Sequence, residues 1–134
     1  MPCDYRVVIV ADWLQRAERT LSSAALLLDS DPDRACSSAY YAMFYGARAA
    51  LIHVGQPERA MGKTHSGMVS AFNQHLVLTG LIAPNHGKAL PFELNRRLVA
   101  DYEAEGVGAE AARQAIASAT SFVGAIKALV QQAG

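Results

Sequence analysis

The chain has 134 residues, 51 % apolar and 18 % charged, enough for one domain whose single hydrophobic core needs no disulfide or metal to close it. Twelve basic and twelve acidic side chains cancel, which argues against a strong electrostatic grip on duplex nucleic acid and leaves only a local basic patch open. No run approaches the ~20 apolar residues of a membrane-crossing helix, no signal-like segment opens the chain, and Cys3 and Cys36 lack metal spacing, so the expectation is a cytoplasmic protein with free thiols and no membrane association.

In chain order, residues 1–10 read as an N-terminal arm ahead of a single helical domain over 11–134. The first helix follows from Leu14, Ala17, Leu21, Ala24 and Leu28, spaced three and four apart, with Gln15, Arg16, Arg19, Ser22 and Ser23 on the other side. Asp31, Pro32 and Asp33 then supply a capping oxygen, a first-turn proline and a carboxylate suited to the positive end of a new helix. That second helix, Pro32 to Val54, is the most distinctive: Tyr40, Phe44, Ala47 and Leu51 share a face, and its many alanines let neighbours approach closely. It is expected to be central, closed by Gly55.

Thr64 caps a third helix that turns Val69, Phe72 and Leu76 inward and stops at Gly80. Pro91 starts or kinks the fourth, whose regular part spans 91–103 with Leu94, Leu98 and Tyr102 recurring every four residues. After Gly106 and Gly108, the fifth carries Ile116, Ala119, Val123, Ile126 and Val130 on one stripe. No sustained period-two alternation competes, so the expected fold is all-α, an up-and-down bundle of about five helices.

The run Ser38-Ala39-Tyr40-Tyr41-Ala42-Met43-Phe44-Tyr45-Gly46-Ala47-Arg48-Ala49-Ala50-Leu51 resembles the signature helix of HEPN domains. Lys63-Thr64-His65-Ser66-Gly67 with Phe72 and Gly80, and Leu94 to Tyr102, agree with it in order and spacing. The resemblance implies a bundle that usually dimerises, is often encoded beside a small nucleotidyltransferase, and in some branches is an RNA-cutting toxin of a toxin–antitoxin pair. Those ribonuclease branches carry an arginine, four to six residues, then a histidine, with a tyrosine two residues later in some. Here Tyr102 is kept, but Ala100 stands at the histidine position and Asn95 five residues before it. An alanine cannot transfer a proton, so no catalytic residue is assigned and a binding or regulatory role is expected ahead of a ribonuclease with a rearranged site.

Arg96, Arg97, Asp101 and Tyr102 are therefore the candidate recognition residues, each also readable as ordinary helix surface or packing. Lys63 and His65 are a second candidate set, a phosphate patch at a helix N-terminus. Arg48 and His53 also satisfy the arginine-to-histidine spacing, but in the second helix, where the family does not place its site. His75 and His86 are expected on a solvated face, and no His or acid spacing suits zinc, so no metal or cofactor is expected. Tyr40, Tyr41 and Tyr45 cannot all face one core, since Tyr45 sits about 100° from Phe44. The expected partners are a second copy of the chain, a nucleotidyltransferase, and RNA or a nucleotide.

Overall fold

A computed structural model describes residues 2–132, with side chains from Tyr5 onward. Helices α1 (Pro2–Leu27), α2 (Pro32–His53), the single turn α3 (Pro57–Ala60), α4 (His65–Phe72), α5 (Pro84–Tyr102) and α6 (Ala109–Gln132) follow one another, and a π-helical turn, Asn73–Val77, extends α4. No strand occurs among the described residues. The all-α bundle expected from periodicity is what the chain forms, with α3 as an added turn inside the 55–63 loop.

Helix α2 is the core of the bundle, packing on α1, α6 and α5 in decreasing extent. Its small residues explain this placement: Ala39, Ala42, Ala47, Ala49 and Ala50 are fully buried, and Gly46 faces Val123, Phe122 and Ile126 of α6. Tyr40, Met43 and Leu51 fill the wider gaps and are sealed completely. The Asp31 carboxylate accepts the Arg34 N–H at 3.2 Å, and Gly55 closes the helix with φ +85°. Thr64 caps α4 as expected, its Oγ1 accepting the Gly67 N–H at 3.0 Å.

Three features differ from the sequence expectations. Residues 2–10 form the start of α1 instead of an arm, with Met1 outside the described residues, and Val10 is already core, because Val10, Leu14 and Ala17 continue one buried stripe. Helix α5 begins at Pro84, seven residues before Pro91, so Pro91 lies inside it and only removes the N–H that would have bonded Gly87. The third helix does not run regularly to Gly80. It widens into the π turn, where Leu78 N–H reaches Asn73 O at 2.9 Å, and this turn still buries Leu76. Val77 in that turn meets α5 so closely that a Cβ on Gly87 would lie 2.8 Å from Val77 Cγ2.

Candidate functional site

Helix α5 is inverted relative to a simple amphipathic helix. Its buried face is Leu90, Glu93, Arg97 and Ala100, while Phe92, Leu98, Val99 and Tyr102 are 58 %, 40 %, 40 % and 77 % exposed. Of the Leu94, Leu98 and Tyr102 recurrence, only Leu94 packs on the core while Leu98 and Tyr102 turn outward, and two charged residues go inward. A buried charge must find partners or lose charge, so these two residues are the place to look for chemistry.

Arg97 is buried against α2. Its Nη1 donates to Asp101 Oδ2 at 3.2 Å, one turn along, and Ser37 Oγ of α2 lies 3.5 Å from the same carboxylate oxygen. The guanidinium carbon stands 5.5 Å from the Tyr40 ring centre and 5.4 Å from that of Tyr41, within cation–π range. Its Nε is buried and has no hydrogen-bond partner among the described residues. On the other side of Tyr40, the first residue of α4 closes the group: Tyr40 Oη and His65 Nδ1 are 2.7 Å apart.

Burial, and next the charge of Arg97, hold the His65 pKa below its ordinary value, so the imidazole is neutral near pH 7. Burial likewise pushes the Tyr40 phenol far up, so it stays protonated. The neutral ring has two arrangements: Tyr40 donates to Nδ1 and Nε2 carries the proton, or Nδ1–H donates to the phenol and Nε2 is a free base. The group thus combines a fixed cation, a neutral histidine and the amino end of α4, a combination suited to a phosphate.

Glu93 follows a different course. Burial raises its pKa, offset in part by Arg96, whose Nε lies 3.3 Å from Glu93 Oε1 without hydrogen-bond alignment, and by Ser118 of α6. Arg96 crosses to the backbone oxygen of Ala111 and lies 4.8 Å over the Phe92 ring. It ties α5 to α6 and does not join Arg97.

Of the six candidates, Arg97, Asp101 and His65 come together. Arg96 faces α6, Lys63 is an exposed loop residue, and Tyr102 lies about 140° around α5 from Arg97. The Arg48 and His53 spacing is a coincidence: Arg48 donates to Ala60 O at 2.9 Å and stacks 4.7 Å from both Trp13 and Phe44, whereas His53 lines a separate cleft. His75 and His86 are half-buried rather than solvated, His86 edge-on to Phe122 at 6.1 Å. The half-buried Tyr41 and Tyr45 beside a sealed Tyr40 match the division expected of the tyrosines. Sequence reasoning missed the part played by Tyr40, treated as core, and by Ser37. The one available signal was that a phenol in a sealed position needs a hydrogen-bond partner from elsewhere in the chain. No group of three His, Cys, Asp or Glu side chains among the described residues can hold a metal ion.

The fold and site define an all-helical bundle with a buried arginine and a histidine gathered around a central tyrosine-rich helix. The HEPN domain family matches residues 10–129, and the chain belongs to it. A UPF0332 protein of Thermotoga maritima is 32 % identical over 125 residues, 92 % of each chain. A Methanocaldococcus jannaschii protein, provisionally named as a toxin, is 31 % identical over 120 residues, covering 89 % of this chain and 87 % of its own. A UPF0332 protein of Gloeobacter violaceus is 39 % identical over 89 residues, 66 % of this chain, and the match spans only 61 % of that relative's length.

Proposed function

We propose that this chain is the HEPN member of a toxin–antitoxin-like pair, a binding or regulatory protein that takes a phosphate-bearing ligand, RNA or nucleotide, at Arg97 and His65, and that engages a separately encoded nucleotidyltransferase. The observation that carries this reading is the buried guanidinium of Arg97, fixed by Asp101 on one side and left with a buried, unpartnered Nε on the other, beside a neutral histidine. The provisional toxin name of the archaeal relative supports the toxin-like part. Fluorescence titration with a labelled single-stranded oligoribonucleotide and with AMP tests it. Arg97→Ala and His65→Gln should each weaken binding about tenfold or more, while Arg113→Ala, at an exposed ion pair on α6, should leave it unchanged. Equal affinity in all four proteins removes the site from consideration.

The nucleotidyltransferase part concerns Tyr102. Its 77 % exposure leaves the hydroxyl open to a transferase, as an acceptor of a nucleotide requires, and argues against the alternative in which the ring packs along Leu94 and Leu98. Incubation with the neighbouring-gene nucleotidyltransferase and a nucleoside triphosphate should give a nucleotide adduct on Tyr102 by mass spectrometry, lost in Tyr102→Phe. No adduct, together with unchanged complex formation by that variant, counts against this partner.

A second reading, metal-independent RNA cleavage, is favoured by one arrangement: His65 and Arg97 both meet Tyr40, His65 through its hydroxyl and Arg97 over its ring, although the motif position is Ala100. We expect negligible cleavage by the purified protein, since losing the positioned general acid–base costs on the order of 100- to 10,000-fold. Strong cleavage of single-stranded RNA abolished by both His65→Gln and Arg97→Ala would install the second reading in place of the first.

A further inference from the structure

A cleft of about 580 Å³ lies between the N-terminal half of α1, the end of α2 and the last turns of α6, and shares no residue with the Arg97 cluster. Its volume falls in the ~300–1,000 Å³ range of small-molecule sites. Val7, Val10, Leu14 and Val130 make its walls apolar. Charge is distributed unevenly along it. Lys127 is neutralised by Glu18 at 3.2 Å, and Glu18 is the sole acid among the described lining residues. Arg6 and His53 stand together elsewhere on the rim, Arg6 Nη1 reaching to 3.7 Å of a Cβ built on Gly55 just past the end of α2.

We infer that this cleft binds an amphipathic monoanion, an alkyl or aryl chain carrying one carboxylate or sulfonate, with the charged head at Arg6 and His53 and the chain along Val10, Leu14 and Val130. An apolar trough this size gains from removing a hydrocarbon chain from water, at roughly 25 cal/mol per Å², and an arginine with no acidic partner among the described residues, beside a neutral histidine, selects an anionic head over a cationic or neutral one. Val7 remains 66 % exposed, so the trough is open for entry along α1.

Among the described residues, the charged groups facing the cleft are Arg6 and Glu18 from α1, His53 from α2 and Lys127 from α6. Between pH 6 and 8 only the histidine of these changes charge. Bound anion favours its protonated form, so affinity should rise as pH falls through that range.

Isothermal titration of the full chain with 1-decanesulfonate below its micelle concentration, and with 1-decanol, tests the inference, because the sulfonate keeps its charge throughout. One sulfonate should bind per chain, more tightly at pH 6 than at pH 8, with the alcohol at least tenfold weaker. Arg6→Ala should weaken the sulfonate about tenfold, His53→Gln should remove the pH dependence, and Ala11→Trp, which fills the cleft from an exposed position on α1, should abolish binding with helicity by circular dichroism unchanged. Equal binding of the alcohol, or an Arg6→Ala variant binding as wild type, overturns the anion selectivity. Undiminished binding in Ala11→Trp overturns the location. A wild-type dimer that Ala11→Trp converts to monomer overturns it too, by making a second copy the occupant. None of these outcomes bears on the Arg97 site, whose test uses different ligands and variants.

Discussion

Gly106 and Asp33 hold the α5–α6 loop through one another. The Asp33 carboxylate accepts the Val107 N–H at 2.7 Å, across 74 residues of sequence, and it presses so closely on Gly106 that a Cβ there would fall 2.3 Å from Asp33 Oδ1. Gly106 also has φ +66°, a region that costs side-chain-bearing residues energy. Gly106→Ala should therefore lose about 1–3 kcal/mol in chemical denaturation, and the expected partner effect is that Asp33→Ala relieves most of the clash in the double variant while losing the hydrogen bond. The sequence shows Asp33 as a first-turn carboxylate, which it is, but proximity to a loop 74 residues away has no local signature. A second residue-level prediction concerns pH. His53, His65 and His86 all have pKa values held below the ordinary 6.5, chiefly by burial, so the unfolded chain binds more protons than the folded one as pH falls through about 6.5. Their neutral forms favour folding above that value, and the stability is lost below it. The thermal midpoint should drop between pH 7.5 and 5.5, and His86→Gln, which removes the ring packed on Phe122, should shrink the pH-dependent part of the drop.

Helices α1, α2 and α6 were legible because their apolar residues repeat at helical spacing and end up inside. α5 was legible as a helix and illegible as to which side faces in. Two stripes diverge along it, one of Leu94, Leu98 and Tyr102 that starts on the core at Leu94 and turns outward, and the buried one of Leu90, Glu93, Arg97 and Ala100. Pattern alone assigns the apolar stripe to the core, whereas the fold meets the charged stripe with groups no local window contains: the Tyr40 and Tyr41 rings of α2 for Arg97 and Ser118 of α6 for Glu93. The same circumstance explains why His65, in one candidate set, and Arg97, in the other, are not joined in the sequence. It also yields a test of the helix. Glu93 is 3 % exposed, held up in pKa by burial, and poorly aligned with Arg96. Glu93→Gln, which keeps the shape and removes the charge, should cost under about 1 kcal/mol, while Glu93→Ala should cost about 2–4 kcal/mol by opening a cavity beside an unmatched arginine. Equal losses in urea melts would mean that the charge, not the packing, holds α5 in place.

For the molecule as a whole, the turned-out side of α5 poses the question of what covers it. Phe92 and Val99 lie seven residues apart and Val99 and Tyr102 three, so they line one side of the helix, with Leu98 adjoining, and all four are at least 40 % exposed. Isolated exposed apolar residues need no explanation, but a continuous stripe opposite a buried charged face does. We propose a two-fold dimer built on this stripe, since a single helical face can be its own complement and closed two-fold pairs are the commonest soluble assemblies. The stripe is centred on Phe92 and Val99, which leaves Tyr102, at the last position of α5, on its edge with the hydroxyl accessible. Light scattering at micromolar concentration should then report about twice the 14.3 kDa chain mass. Phe92→Arg with Val99→Arg should return it to the chain mass with helicity unchanged, because neither side chain contributes to the bundle core and paired arginines would face their own copies across the axis. A wild-type protein that stays monomeric up to 100 μM, on the order of the range where stable homodimers form, would leave the α5 stripe to a different partner, and the nucleotidyltransferase complex would then be the assembly to disrupt with the same two substitutions.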